Sequence, residues 1–369
     1  MSRPIIKENL KTLDALRGLA AIYVVIHHCR WLLWEGYEKG YSLHPSEYSF
    51  FSKVFMYFFS AFKFGNQAVL FFFVLSGFVI HYSVSKRVDR EGKFDAGDYL
   101  YRRIKRIYPP LLIAIALTFV LDMTGMKLNL PIYFSHTPYP SINTNVHSDL
   151  SGTTLLGNLL FVQKIYTPAW GTDGALWSLM YEWWFYILYM PLLLLFRKNK
   201  YLTIGIVLVV WYLNVLYGAG LPVLLNKVLN MFLIWFAGML LADMLLYKSI
   251  NPIAGLAALL LMMTGSFADI FGRIGYEIIL TVFITIFLYL VLTTNWFNIL
   301  RKCEKMGPFS YTMYAVHMPI VCFLSGFLMK ANQGYLPSHF LYVFVGIIIS
   351  VAAVSWLRHF VGEKPFTKK

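Results

Sequence analysis

Residues 13–28 read Leu13-Asp14-Ala15-Leu16-Arg17-Gly18-Leu19-Ala20-Ala21-Ile22-Tyr23-Val24-Val25-Ile26-His27-His28. The stretch is apolar enough for a membrane helix, yet it places an arginine and a histidine eleven residues apart. At about 100° per residue, eleven steps return to within roughly 20° of the starting direction. Arg17 and His28 therefore share one helical face, about 16 Å apart along the axis. His27, one step short, points about 80° to the side. Ionisable groups cost free energy inside a bilayer, so those found there mark functional sites. The alternative is that Arg17 snorkels to headgroups and His28 bonds a neighbouring helix.

Apolar runs of this kind recur along the chain. Of its 369 residues 58% are hydrophobic and 14% charged, where a soluble domain sits nearer half and a quarter. The expected fold is all-α, a polytopic transmembrane helical bundle of about ten spans. They are placed at 14–33, 64–84, 108–125, 174–196, 201–217, 224–247, 252–268, 275–294, 309–329 and 339–357. Ser52 to Phe64 reads as an interfacial helix before the second span. The 31 Phe, 25 Tyr and 10 Trp suit the two membrane interfaces.

With a cytoplasmic N-terminus, the inner segments hold most of the 32 lysines and arginines. The positive-inside rule then puts both termini in the cytoplasm. The net charge of +14 accordingly speaks for orientation and contact with membrane lipids, and no nucleic acid is expected as a partner. The first span is too long and too interrupted for a cleaved signal peptide. Cys29, Cys303 and Cys322 lack disulfide or zinc spacing.

Residues 1–369 are expected to form a single membrane domain with no appended soluble domain. Two connections are long: a basic inner loop at 85–107 and an outer loop at 126–173. The latter's Pro131, Tyr133, Phe134, Pro138, Tyr139 and Pro140 predict a folded cover.

Four constellations could carry chemistry. Arg17 and His28 are the first. The second is Arg102-Arg103-Ile104-Lys105-Arg106, where Arg103 and Arg106 are helical neighbours. Such a cluster is an orientation and lipid signal or a clamp for a polyanion, because guanidinium groups offer bidentate donors to phosphate. Glu182, with no basic residue within fourteen positions, is the third. It lies about 12 Å into its span, and His28 lies about 21 Å in from the other face. In a core roughly 30 Å thick the two depths agree, so His28 is the expected partner of that carboxylate. Tyr314 and His317, three apart, form a polar stripe in the ninth span. Ser76-Gly77 suits close helix approach, Ser178 a packing role, and His81 a satisfied polar contact.

Taken together, these segments resemble the acyltransferase-3 family of membrane acyltransferases. The opening Leu-Asp-x-Leu-Arg-Gly with a histidine eleven residues after the arginine is matched by Arg17 and His28, with Ala15 where glycine is usual. Phe-Phe-x-Leu-Ser-Gly-Phe is matched by residues 72–78, while Leu70 stands where many members carry an acid. Arg103, Arg106, Ile107 and Pro109 match the third pattern, Trp177, Ser178, Leu179 and Glu182 the fourth, and Ser310, Tyr311, Tyr314 and His317 the fifth.

The resemblance implies transfer of an acyl group, commonly acetyl, from acyl-coenzyme A to a hydroxyl of a cell-envelope carbohydrate or lipid-linked glycan. His28, Glu182 and Arg17 are then the expected catalytic residues. Arg17, Arg103, Arg106, Tyr314 and His317 are expected to bind the acyl-CoA, with no metal required. His28 would act as general base or be acylated itself. The same resemblance implies a bacterial inner membrane, and either a separate extracytoplasmic partner or a homo-oligomer. A proton-coupled secondary transporter is the competing class, but inverted halves with broken helices are not visible.

Overall fold

The computed structural model describes residues 5–247 and 272–361. Regular structure among them is helical, with an isolated bridge between Gln163 and Thr167. Among the described residues, seven helical segments are long and apolar enough to cross a membrane. The chain is an integral, multi-pass membrane protein.

The helices are α1 (Leu10–Leu32), α2 (Phe50–Ser60), α3 (Gly65–Glu91), α4 (Ala96–Lys127), α5 (Pro140–Asn145) and α6 (Gly152–Leu159). Then come α7 (Trp177–Lys198), α8 (Lys200–Tyr217), α9 (Val223–Tyr247), α10 (Gly272–Thr293), α11 (Ser310–Ala331) and α12 (Leu341–Val361). The expected spans 64–84, 108–125, 174–196, 201–217, 224–247, 275–294 and 309–329 fall in the seven segments. That at 252–268 lies outside the described residues. Helix α1 is not among the seven, because Asp14, Arg17, His27, His28 and Arg30 dilute its apolar character. It is shielded by protein instead: Leu13, Ala15, Ala21 and Val25 are fully buried. The apolar part of α12, Leu341–Leu357, is shorter than the rest.

One correction concerns the basic stretch 85–107, expected as a loop. It is helical on both sides of a turn at 92–95. Gly92 closes α3 with φ +74°, and Asp95 caps α4 by accepting from the Asp98 amide at 2.9 Å. Arg87 pairs with Glu91 at 2.8 Å and Arg102 with Asp98, each one turn apart. Capping and pairing together extend both helices through a sequence whose charge density suggested a connection.

Two glycines allow a close seam between α3 and α9. A Cβ on Gly77 of α3 would land against the Trp235 carbonyl oxygen, and one on Gly238 of α9 against that of Val74. Backbone meets backbone there, as small residues permit between membrane helices. Gly77→Ala or Gly238→Ala should cost about 1–3 kcal/mol by overpacking. A lowered unfolding temperature of the purified protein checks this, and an unchanged one contradicts the seam. Further along α3, His81 is buried against the Tyr189 hydroxyl at 3.0 Å and Ser85 at 3.3 Å.

Residues 126–173 fold over one end of the bundle. Their Leu130, Ile142 and Phe161 are fully buried, and Trp170 donates to the Ile115 carbonyl at 3.0 Å. Asp122 clasps the segment to α4, accepting from the Thr172 amide and hydroxyl at 2.7 Å and from Ser148 at 2.8 Å.

Candidate functional site

The eleven-residue spacing on α1 delivers both polar side chains to the neighbourhood of α11. Near the start of α1, Arg17 is buried and paired with Asp14 at 3.2 Å. Three turns later, His28 Nδ1 meets His317 Nε2 of α11 at 2.9 Å. The other nitrogen of His317 faces the carbonyls of Tyr314 at 2.9 Å and Met313 at 3.1 Å.

This network assigns the tautomers of a neutral pair. A carbonyl only accepts, so His317 Nδ1 carries the hydrogen and Nε2 offers a lone pair. His28 Nδ1 must then donate to it, which leaves His28 Nε2 as a lone-pair nitrogen. The His28 ring also meets the Val24 backbone one turn back, and it is only partly buried. An imidazole oriented by a neighbour, with its second nitrogen available, suits a base or a nucleophile. His27 faces elsewhere, donating to the Phe62 carbonyl at 2.9 Å beside Gly65 at the start of α3.

The expected pairing of Glu182 with His28 is not what the structure contains. Glu182 of α7 accepts from the Tyr186 hydroxyl, one turn on, and from Ser76 of α3 at 3.5 Å. The expectation rested on depth along the helices alone, and the helical face of α7 carrying Glu182 looks towards α3 instead. Tyr186 was legible as the i+4 neighbour of a lone carboxylate; Ser76, read as a packing residue, was not.

A narrow cavity of about 60 Å³ gathers most of the remaining candidates. Arg17 enters from α1, Arg103 and Arg106 from α4, Glu182 from α7 and Tyr314 from α11. Arg103 and Arg106 reach it together because three residues separate them on α4. Ser178 donates to the Tyr314 hydroxyl at 2.8 Å, which in turn donates to the Ala175 carbonyl at 3.1 Å. His28 and His317 stand beyond this cavity, with His317 one turn past Tyr314 and their rings 5.9 Å apart.

Arg103 has an unusual environment for a cation. It is 8% exposed, its Nε is buried without a hydrogen-bond partner, and it forms no ion pair among the described residues. Its guanidinium lies over the rings of Tyr99 at 5.4 Å and Tyr186 at 5.5 Å. Aromatic faces hold a cation without neutralising it, so the site has positive charge to offer an anion. Arg106 sits over Tyr311 at 5.9 Å.

A second, wider cavity of about 370 Å³ opens where α3 ends and α4 begins. Lys86, Arg87, Arg90, Lys93 and Arg102 line it, with Glu91, Asp95 and Asp98 among them. Arg103 lines both cavities and is the link between them. The geometry is thus a basic vestibule, a polar throat and an oriented histidine pair. Among the described residues, no group of three or more His, Cys, Asp or Glu side chains could hold a metal ion.

Comparison with known proteins matches residues 10–357 to the family described as an acyltransferase domain. The chain is similar to "Protein 2 in picA locus" of Rhizobium radiobacter, 27% identical over 176 residues, 48% of this chain and 75% of that protein. It is also similar to the O-acetyltransferase PaAT-1 of Phomopsis amygdali, 32% identical over 108 residues, 27% of this chain and 20% of that protein. No solved structure matches it.

Proposed function

Because the chain belongs to this acyltransferase family, we propose that it moves an acyl group, acetyl in the first instance, from acyl-coenzyme A to a carbohydrate hydroxyl. The observation that carries the proposal is Arg103, a buried cation without an ion pair among the described residues that joins the basic vestibule to the throat. A phosphate-bearing donor fits that arrangement. Lys86, Arg87, Arg90, Lys93 and Arg102 would receive its phosphates, and Arg103 with Arg106 would hold the part entering the throat. Bound there, the donor supplies an acyl thioester.

His28 Nε2 takes the proton of the acceptor hydroxyl as that oxygen bonds to the acyl carbon. The carbon–sulfur bond then breaks, and the imidazolium returns the proton to the departing sulfur. His317 acts as a positioning residue, holding His28 in the tautomer that presents Nε2. In a second chemistry Nε2 bonds to the acyl carbon as the carbon–sulfur bond breaks and the thiolate leaves; the acceptor oxygen then displaces Nε2, and the hydroxyl proton passes to the freed nitrogen and on to the thiolate. Both routes need the same lone pair. Glu182, bonded to Tyr186 and Ser76, tunes the charge of the throat instead of orienting His28. Arg17, paired with Asp14, lines the same throat from α1, and Tyr314 lines its wall.

Membrane lipids surround the bundle, and a bacterial inner membrane with the vestibule on the cytoplasmic side suits this chemistry. A separate extracytoplasmic protein or a second copy would complete delivery of the product.

The test is incubation of the purified protein in lipid nanodiscs with radiolabelled acetyl-coenzyme A and a panel of glycans. Label should move to a glycan with release of one thiol per ester formed. Acetyl-coenzyme A left intact beside every glycan, with no label on His28, would remove the proposed donor.

A further inference from the structure

The far end of α1 carries charge that the mechanism above does not use. Leu10, at the start of the helix, lines the basic vestibule, and Trp31 lies about 32 Å further along it. The Trp31 and His28 rings are 6.4 Å apart, centroid to centroid. Lys39, in the turn Tyr37–Tyr41 that follows, folds back over the Trp31 ring at 5.8 Å and over Tyr139 of the covering segment at 4.9 Å. Its ammonium donates to the Trp31 carbonyl at 3.1 Å. Arg30, two residues past His28, is close enough for its charge to act on Lys39. Neither cation forms an ion pair among the described residues, although the field of the exposed Glu38 reaches both.

These surroundings select a ligand class. An ammonium has three donors, of which the Trp31 carbonyl takes one. Aromatic faces hold a cation without neutralising it. Burial pushes the Lys39 ammonium down to about 8, so it stays charged at neutral pH at a cost that a neighbouring anion offsets. A sugar hydroxyl brings a lone pair but no charge, and an acyl chain would strip water from both cations. A carboxylate or a phosphate meets the donors and the charge together.

Phospholipid headgroups share that chemistry, but Lys39 is half-buried and turns back onto α1 and the buried Tyr139, beside the ring that adjoins His28. We propose that Lys39 and Arg30, with the Trp31 ring, form an anion subsite for the acceptor at the end of α1 opposite the vestibule. The hydroxyl that reaches His28 then belongs to a glycan bearing a carboxylate or a phosphate. The proposal rests on the acyltransferase reading above and adds the charge class of the acceptor.

The full chain is purified in nanodiscs of zwitterionic phosphatidylcholine as wild type, Lys39→Gln and Arg30→Gln. Without donor, each is offered a uronic-acid oligosaccharide, its carboxyl-reduced neutral counterpart and a phosphate-bearing oligosaccharide. The wild type should bind an acidic probe at least about tenfold more tightly than the neutral one, and each variant should lose about tenfold of that affinity. The tighter of the two acidic probes names the anion. Acetyl-coenzyme A binding within about twofold of wild type verifies folding, because the cations proposed for it line the vestibule at the other end of α1. Should one variant fail that check, the other and the wild-type preference decide. Acidic and neutral probes bound alike by the wild type, or variants that bind as it does, overturn the subsite. So does a Lys39-dependent preference for phosphatidylglycerol in the nanodisc with none among the glycans, which assigns the cations to headgroups. Acidic-glycan binding that both variants weaken, without acetyl transfer to that glycan, upholds the subsite and removes the donor reading. Acetyl transfer at equal rates to neutral and acidic glycans in all three proteins keeps the donor reading and removes the subsite.

Discussion

His28→Ala lowers kcat for acyl transfer by about 10²–10⁴-fold, the range attached to a lost general base, and leaves acetyl-coenzyme A affinity within about twofold. The split follows from the geometry. His28 meets His317 beyond the throat, whereas the cations that would receive the donor line the vestibule and the throat wall. His317→Ala tests the positioning role separately. Without the Nε2 acceptor at 2.9 Å, His28 can adopt the other tautomer or rotate. The expected loss is in kcat, about 10–100-fold, with KM for the donor unmoved. His317→Gln retains a side-chain acceptor and should recover part of it. Single-turnover and steady-state assays on the purified variants decide the matter. Equal transfer by His28→Ala and wild type would remove His28 from the chemistry, and a donor KM that rises with His317→Ala would place that residue in the binding path.

Arg103→Ala is expected to weaken acyl-coenzyme A binding about 10–100-fold, because hydrogen bonds to a charged group contribute about 1.5–3 kcal/mol. The residue's Nε is buried without a partner, so an arriving anion satisfies a donor that is otherwise unpaired. Arg103→Lys restores only part of the affinity. A lysine keeps the charge but loses the planar fork stacked between Tyr99 and Tyr186. Equilibrium binding in nanodiscs, repeated at two salt concentrations, checks both parts. The rim cations Arg87 and Arg102 are already paired with Glu91 and Asp98 and are more exposed, so alanine there costs less and salt masks it more. An Arg103→Ala affinity equal to wild type would sever the vestibule from the chemistry.

The membrane-spanning architecture was legible because hydropathy and helical period are local properties of consecutive residues. The same is true of the shared face of Arg17 and His28, and of Arg103 beside Arg106. Charge patterning misled at 85–107, where capping by Asp95 and one-turn ion pairs carry the helices through a strongly basic run. Matching depths misled at Glu182, since depth says nothing of the direction a side chain takes around its helix axis. Its Tyr186 partner is one turn away in sequence, but Ser76 is 106 residues away.

What the chain specified by itself is a set of amphipathic and apolar helices with their polar stripes in register, since a residue's angle and rise follow from its position alone. What the tertiary structure decided is which stripes meet. His28 and His317 lie 289 residues apart, and no periodicity links them. Their contact, and the lone pair it leaves on His28, depends on α1 and α11 packing at one azimuth and one height. Helix packing sets those two quantities through the summed contacts of every neighbour.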